Sequence, residues 1–203
     1  MDNLFVSIPE RAKYSGADPE LLFYYEDLNE RVWNLVSEVD DSLLDFARHV
    51  IRWNREDRGI PVEERKPIRL YINSPGGDLN IFYTVKDIIE MSKTPIVAVN
   101  RGMAYSAAAL LLLSCHERYM LKSSKILLHL GSASLGGSYL DLMCAVADYQ
   151  EQVESFVSAI QEKTTYTPDE IESNISSDWY IDAKDALAHG AATKIIDDID
   201  ELL

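Results

Sequence analysis

Short apolar runs alternate with amphipathic segments along most of this chain. Runs rich in Val, Ile, Leu and Tyr are typical of buried strands, and they cover residues 32–36, 68–73, 95–99, 118–121, 126–129 and 193–196. Between them, apolar residues recur at helical spacing and predict helices over residues 41–51, 79–91, 106–114, 139–163 and 182–190, with a further helix that begins at Thr167. Strands that alternate with helices predict an α/β domain with a largely parallel sheet.

Three stretches interrupt this pattern. Residues 1–30 lack the alternation and are punctuated by proline and glycine, which predicts an irregular N-terminal arm ahead of a domain that covers residues 31–203. Residues 55–66 are rich in charged side chains and predict a loop. Gly102 is expected to open a turn into the helix at 106–114.

Composition excludes several classes of function. The net charge of −15 argues against nucleic acid and against an anionic membrane surface, because both are bound by clustered Lys and Arg. The longest apolar stretch, residues 107–113, is far short of the ~20 residues that span a bilayer. No basic region followed by a long apolar stretch is visible at the N-terminus, so we expect a cytoplasmic protein. Cys115 and Cys144 lie in apolar runs and are expected to be buried thiols, with no zinc or other metal site.

Two predicted helix starts carry groups suited to catalysis. Residues 74–78, Ser-Pro-Gly-Gly-Asp, follow a strand directly, and glycine leaves backbone N–H groups open to a ligand or an oxyanion. Ser106 opens a helix of small apolar residues, where its hydroxyl could act as a nucleophile and the Ala107 N–H as a donor. Taken alone, the first feature is compatible with a structural turn and the second with a helix cap.

A serine nucleophile needs a base and a group that orients it. His129 ends an apolar strand and precedes a Gly/Ser-rich loop, a position typical of catalytic groups, although a hydrogen-bonded core histidine would look the same. His49, His116 and His189 are expected at the surface or at helix ends. Composition cannot select the third group among 34 acidic residues.

Several motifs in register resemble the Clp peptidase subunit family. They are Tyr-Ile-Asn-Ser-Pro-Gly-Gly at 71–77, Gly-Met-Ala-Tyr-Ser at 102–106, Ile-Leu-Leu-His at 126–129 and Asp-Trp-Tyr-Ile-Asp-Ala at 178–183. The resemblance runs from about residue 31 to the C-terminus. It implies a catalytic triad of Ser106, His129 and Asp178.

The resemblance also assigns the groups around the triad. The backbone N–H groups of Gly77 and Ala107 would form the oxyanion hole. An extended substrate would pair as a strand with the loops after Gly77 and after His129. The substrate-binding residues are then Gly76, Asp78, Leu130 and Gly131.

The same resemblance implies a fold and an assembly. The fold would be the Clp peptidase/crotonase-like core of repeated β-β-α units in a superhelix, with residues 139–163 as a long protruding helix. Subunits would form heptameric rings around a chamber that degrades unfolded proteins, with residues 1–30 as an arm or axial loop. An AAA+ unfoldase would use the ATP, since this chain has no phosphate-binding Gly-x-x-x-x-Gly-Lys-Ser/Thr motif and needs no cofactor.

The chain departs from the family pattern at four places. Leu130-Gly131 replaces the usual Gln-Pro after the histidine, and residues 52–66 are longer and more charged. Ser176 and Ser177 replace an acidic–Arg pair used between rings. Arg69 and Arg101 lie where the unfoldase docking pocket is usually apolar, around a retained Tyr71. We therefore expect the usual unfoldase to dock poorly, with another partner or none in its place.

Three alternatives remain at this point. A crotonase-like acyl-CoA enzyme would use the same backbone N–H groups without a serine nucleophile. A non-catalytic ring subunit would keep only the scaffold. A Ser–Lys peptidase would use Lys122 or Lys125 as the base, although the matched histidine and aspartate make a lysine unnecessary.

Overall fold

A computed structural model describes residues 19–130 and 136–202 of the chain. The strands and helices alternate as predicted, and their bounds follow in chain order: α1 Pro19–Asn29, β1 Val32–Leu35, α2 Leu43–Glu56, β2 Ile68–Ser74, α3 Leu79–Met91, β3 Ile96–Tyr105, α4 Ala107–Ser114, β4 Glu117–Leu121, β5 Lys125–Leu128, α5 Tyr139–Lys163, α6 Pro168–Ile175, β6 Trp179–Asp182, α7 Ala183–Ala188 and β7 Lys194–Ile196. Short 3-10 helices cover Val62–Glu64 and Ile199–Leu202.

The strands form one mixed sheet that divides along β3. The first part of β3 lies in a parallel array of order β1-β2-β3-β4-β7. Its last part, Met103 to Tyr105, leaves β4 and pairs with β5 in parallel, and β6 adds to β5 in antiparallel orientation. The α/β class and the largely parallel sheet are therefore confirmed. The branch brings the ends of β3 and β5 and the start of β6 to one edge.

Helix α4 forms the centre of the core. Every residue from Ala107 to Ser114 is buried, since the helix lies between the sheet and helices α3 and α5. Helix α2 buries one face, which includes Phe46 and Trp53, and exposes the opposite face. No helix within the described ranges is long and apolar enough to cross a membrane.

Four local predictions were wrong. Residues 19–29 form a helix and not part of an irregular arm, and residues 1–18 lie outside the described residues. No turn opens at Gly102, because β3 continues to Tyr105. Residues 179–182 form a strand that the sequence analysis did not predict. Cys115 is buried, where burial raises the pKa of its thiol to about 12, but Cys144 is exposed.

Two asparagine side chains stabilise the bend in β3 at Gly102. Asn100 is fully buried, accepts the Gly102 N–H at 3.1 Å and donates to the Lys125 carbonyl at 2.9 Å. Asn73 on β2 accepts the Met103 N–H at 3.2 Å. The register between β2 and β3 shifts at this point. The two amides therefore supply hydrogen bonds that the interrupted ladder cannot, at the point where β3 leaves β4 and pairs with β5.

Candidate active site

Ser106 occupies a strained turn between β3 and α4. Its backbone has φ 53° and ψ −124°, a conformation that costs a residue other than glycine on the order of 1–3 kcal/mol. The Ser106 N–H donates to the Leu127 carbonyl at 2.8 Å, and its own carbonyl accepts from Ala109 and Leu110. The surrounding chain therefore holds a sharp strand–turn–helix, the kind of arrangement that presents the nucleophilic serine of α/β-hydrolases.

The glycine turn between β2 and α3 packs directly against this serine. A Cβ added to Gly76 would lie 2.8 Å from the Ser106 Cβ and 3.2 Å from the Ala107 nitrogen, so only glycine permits this approach. The turn is fixed by Val39, which donates to the Gly76 carbonyl and accepts from the Asp78 N–H, both at 2.8 Å.

Two backbone N–H groups remain open beside Ser106. The Ala107 N–H is the first of its helix and has no intrahelical acceptor. The Gly77 N–H takes no part in the pairing with Val39. Within the described residues neither group donates to another atom of the chain. Two free donors next to a serine at a helix N-terminus are suited to hold an oxyanion.

His129 and Asp178 face each other across the β5–β6 ladder. Leu128 pairs with Trp179, so the antiparallel register places the next pair, His129 and Asp178, directly opposite. The His129 Nδ1 lies 3.2 Å from the Asp178 Oδ1. The Leu130 N–H donates to the Ile175 carbonyl at 3.2 Å and fixes the segment beyond the histidine. The carboxylate is thus placed to orient the imidazole.

Ser106 and His129 line one small cavity of about 30 Å³, close to the size of a single water molecule. Its other walls come mainly from α3 and α5 and are mostly apolar: Leu79, Leu130, Tyr149, Gln152, Val153 and Phe156. The Tyr149 hydroxyl donates to the Leu130 carbonyl at 2.8 Å. This bond links the long helix to the residue that follows His129.

Tyr149 and its neighbours on α5 were not predicted as site residues. The signal was present, because Tyr149, Val153, Phe156 and Ile160 recur at helical spacing along α5 and predict one apolar face. What that face covers depends on how α5 packs against α4, and the sequence does not show that packing.

The other residues predicted to bind substrate have different positions. Gly76 and Leu130 lie beside Ser106 and His129, as described above. Asp78 caps α3, where its carboxylate accepts the N–H groups of Asn80 and Ile81, so its side chain is engaged within the chain. Gly131 lies outside the described residues.

The remaining histidines do not share this site. The Ile96 N–H donates to His116 Nδ1, and burial lowers the pKa of His116 because it disfavours the charged ring. His189 stacks on Tyr166 with ring centroids 4.1 Å apart, and His49 contacts the Asp45 carbonyl at 2.7 Å. All three belong to other parts of the fold.

Neither nearby lysine is placed to act as the base. Lys122 pairs with Asp197 at 3.3 Å. Lys125 lies four positions before His129, at the opposite end of β5 and about 13 Å away along the strand. Residues 19–130 and 136–202 contain no group of three or more His, Cys, Asp or Glu that could hold a metal ion.

Comparison with known proteins agrees with this geometry. The sequence profile of the family described as Clp protease matches residues 27–199. This chain belongs to the Clp protease family. The match makes it a peptidase of the serine type, the known mechanism of the family. Members of this family form oligomeric rings that work with Clp ATPases.

Curated relatives are similar to this chain over most of their length. The chain is 27% identical to the ATP-dependent Clp protease proteolytic subunit 2 of Treponema pallidum, over 88% of each chain. It is 27% identical to the protein of the same name from Corynebacterium efficiens, over 96% of this chain and 94% of the relative. The corresponding Bacillus licheniformis protein is 27% identical over 83% of this chain and 87% of its own length.

Proposed function

We propose that this chain is a serine endopeptidase that cleaves unfolded proteins and peptides, with Ser106, His129 and Asp178 as its catalytic triad. The proposal rests on the convergence of three neighbouring strand ends, which places a strained serine, a histidine and a carboxylate at one edge of the sheet. No metal or organic cofactor takes part in the chemistry that follows.

The proposed reaction uses the triad for both proton transfers. Asp178 faces His129 Nδ1, which leaves Nε2 to take the proton from the Ser106 hydroxyl as its oxygen attacks the peptide carbonyl carbon. The N–H groups of Gly77 and Ala107 stabilise the oxyanion of the tetrahedral intermediate. The C–N bond then breaks, and His129 gives its proton to the leaving amine. Water, deprotonated by His129, releases the acyl group and restores Ser106.

The first test is hydrolysis of an unfolded protein. Purified chain should release fluorescent peptides from fluorescein-labelled casein, and Ser106→Ala should abolish the release. Ser114→Ala is the matched control, because Ser114 is a buried serine at the other end of the same helix. Equal release by wild type and Ser106→Ala would overturn the assignment.

We also propose that the chain works as heptameric rings that enclose the active sites in a chamber, in the cytoplasm. Family membership and relatives named as proteolytic subunits support this assembly. Sedimentation equilibrium gives the test, with a mass near seven or fourteen subunits expected. Ser176 and Ser177, which replace the expected acidic–Arg pair, are both exposed at the end of α6, so the contact between rings would differ in that place.

Docking of the usual unfoldase is proposed to be weak. The Arg101 guanidinium lies 4.6 Å from the centroid of the Tyr71 ring and donates to Asn34 at 2.8 Å. The Tyr71 hydroxyl donates to the Leu202 carbonyl at 2.6 Å. The aromatic surface expected to receive a partner is thus covered by this chain's own groups. Tight capture of a Clp unfoldase in the presence of ATP would contradict the proposal, and capture gained only in Arg101→Met would support it.

A further inference from the structure

A second pocket on the domain is lined by four cations and no carboxylate. It has a volume of about 560 Å³ and lies between the C-terminal half of α2, the following loop and the end of α3. Its cationic residues are Arg55, Arg58, Arg65 and Lys93. The chain as a whole carries 34 acidic and 19 basic residues, so its overall charge does not predict a pocket whose charged residues are all basic. It is lined by none of the proposed catalytic residues.

The cations on the rim are available to a ligand. Arg55, Arg58 and Lys93 are exposed, and within the described part of the chain no carboxylate lies within 4.0 Å of them. The neighbouring carboxylates of Glu56 and Asp57 pair with other arginines. An anionic ligand would therefore not have to displace a carboxylate of the chain in order to contact these cations.

The pocket also presents apolar side chains to solvent. Met91 is 72% exposed and Ile51 48% exposed, so a ligand that covers them removes apolar surface from water. Asn54 links the ends of α2 and α3 beside this apolar floor, because its amide donates to the Ser92 hydroxyl at 2.7 Å and accepts from the Lys93 N–H at 2.9 Å. An apolar floor with a cationic rim fits a ligand that carries both carboxylates and apolar side chains.

We propose that this pocket binds an acidic peptide segment of a partner protein, whose carboxylates contact Arg55, Arg58 and Lys93 and whose apolar side chains cover Met91 and Ile51. The rim cations come from α2, from the loop after it and from the turn between α3 and β3, and thus surround the floor. A compact phosphate would contact only part of the rim and would leave the apolar floor exposed.

The test uses a fluorescein-labelled peptide, Asp-Leu-Glu-Ile-Asp-Leu, and the full chain as Ser106→Ala so that the probe cannot be cleaved. Fluorescence anisotropy should show saturable binding that weakens as salt is raised. Arg55→Glu should weaken binding at least about tenfold. Arg48→Glu is the matched control, an exposed arginine on the same helix but outside the pocket, and should change binding by less than about twofold.

Further measurements separate the contribution of the apolar floor from that of the cationic rim. Met91→Ser should weaken binding of this peptide but leave binding of a hexa-glutamate probe unchanged, because only the first probe covers the floor. Equal affinity for Lys-Leu-Lys-Ile-Lys-Leu, unchanged binding in Arg55→Glu, or absence of saturable binding would each overturn the proposal. Binding of pyrophosphate without binding of the peptide would overturn it as well. These outcomes do not depend on the peptidase activity.

Discussion

Gly76 and Ser106 approach each other so closely that a Cβ on residue 76 would lie 2.8 Å from the Ser106 Cβ and 2.5 Å from the Tyr105 carbonyl oxygen. Gly76 also has φ 98°, which side chains rarely adopt. The glycine turn and the serine turn therefore form one packed unit. The first sets the position of the Gly77 N–H, and the second sets the position of the hydroxyl.

Gly76→Ala should disrupt this unit. We expect a loss of peptidase activity of at least about 100-fold, because the Ser106 turn must move by several tenths of an ångström or more. Gly59→Ala is the matched control: it has φ 88° but no atom within 4 Å of the added Cβ. Both variants should lose about 1 kcal/mol of stability from the backbone conformation, but only the first should lose activity. Thermal unfolding and casein hydrolysis measure the two effects.

Asp178→Asn should reduce turnover without a matching loss of stability. The amide cannot stabilise a protonated His129, so kcat should fall by about 10²–10⁴-fold while KM changes little. Glu172→Gln, which removes an exposed carboxylate from neighbouring α6, should keep full activity. A kcat for Asp178→Asn within about threefold of wild type would show that another group orients the histidine.

Tyr149→Phe should affect catalysis more than folding. The substitution keeps the ring in the cavity but leaves the Leu130 carbonyl without its donor, a loss of about 1 kcal/mol. We expect kcat/KM for a fluorogenic peptide to fall about 3–10-fold while the melting temperature falls by only about 2–4 °C. Tyr139→Phe alters a tyrosine that is 74% exposed at the start of the same helix and should have no effect.

Protonation of Asp57 should lower the free energy of unfolding as the solution is acidified. Burial raises the pKa of Asp57, but hydrogen bonds from Arg31 and Thr94 and the charges of Arg31 and Arg65 outweigh it, so the pKa lies below the ordinary value of 3.8. The ionised form thus stabilises the fold fully above 3.8, and its contribution is lost as pH falls through the lower folded value.

Asp57→Asn tests this linkage directly. It should cost about 3 kcal/mol at pH 7, because the nearly buried Arg31 loses the carboxylate that it contacts with both nitrogens and keeps Glu56 at the longer distance of 3.9 Å. The variant should also show a flatter pH dependence of the free energy of unfolding below pH 4, measured by urea titration. An unchanged slope in that range would assign the acid sensitivity to other carboxylates.

Local signals predicted several elements well. Helices α3 and α5 have the predicted bounds, since each combines a periodic apolar face with a capping residue: Asp78 accepts two N–H groups of α3, and Ser138 forms a capping box with Asp141. Thr167 and Asp182 cap α6 and α7 as predicted. These features depend on residues close in sequence, so the sequence alone shows them.

Features that depend on distant residues were not predictable in this way. The bend in β3 needs Asn73 and Asn100, whose hydrogen bonds depend on how β2, β3 and β5 pair. Strand β6 is short and becomes a strand by pairing with β5. That same pairing brings Asp178 opposite His129, whereas sequence reasoning reached Asp178 only through family resemblance. Helix α1 begins at Pro19. Proline is common in the first turn of a helix, but in the sequence this proline indicated irregular structure.

The most direct test of the central claim is covalent labelling with a fluorophosphonate probe, which reacts with an activated serine. The oligomeric fraction from size-exclusion chromatography should be labelled and the modified residue located by mass spectrometry, with Ser106→Ala as the control. The account predicts one label, at Ser106, that is lost in the variant and strongly slowed in His129→Gln. Assembled protein that takes up no label, or that carries it on another serine, would contradict the assignment of Ser106 as the nucleophile.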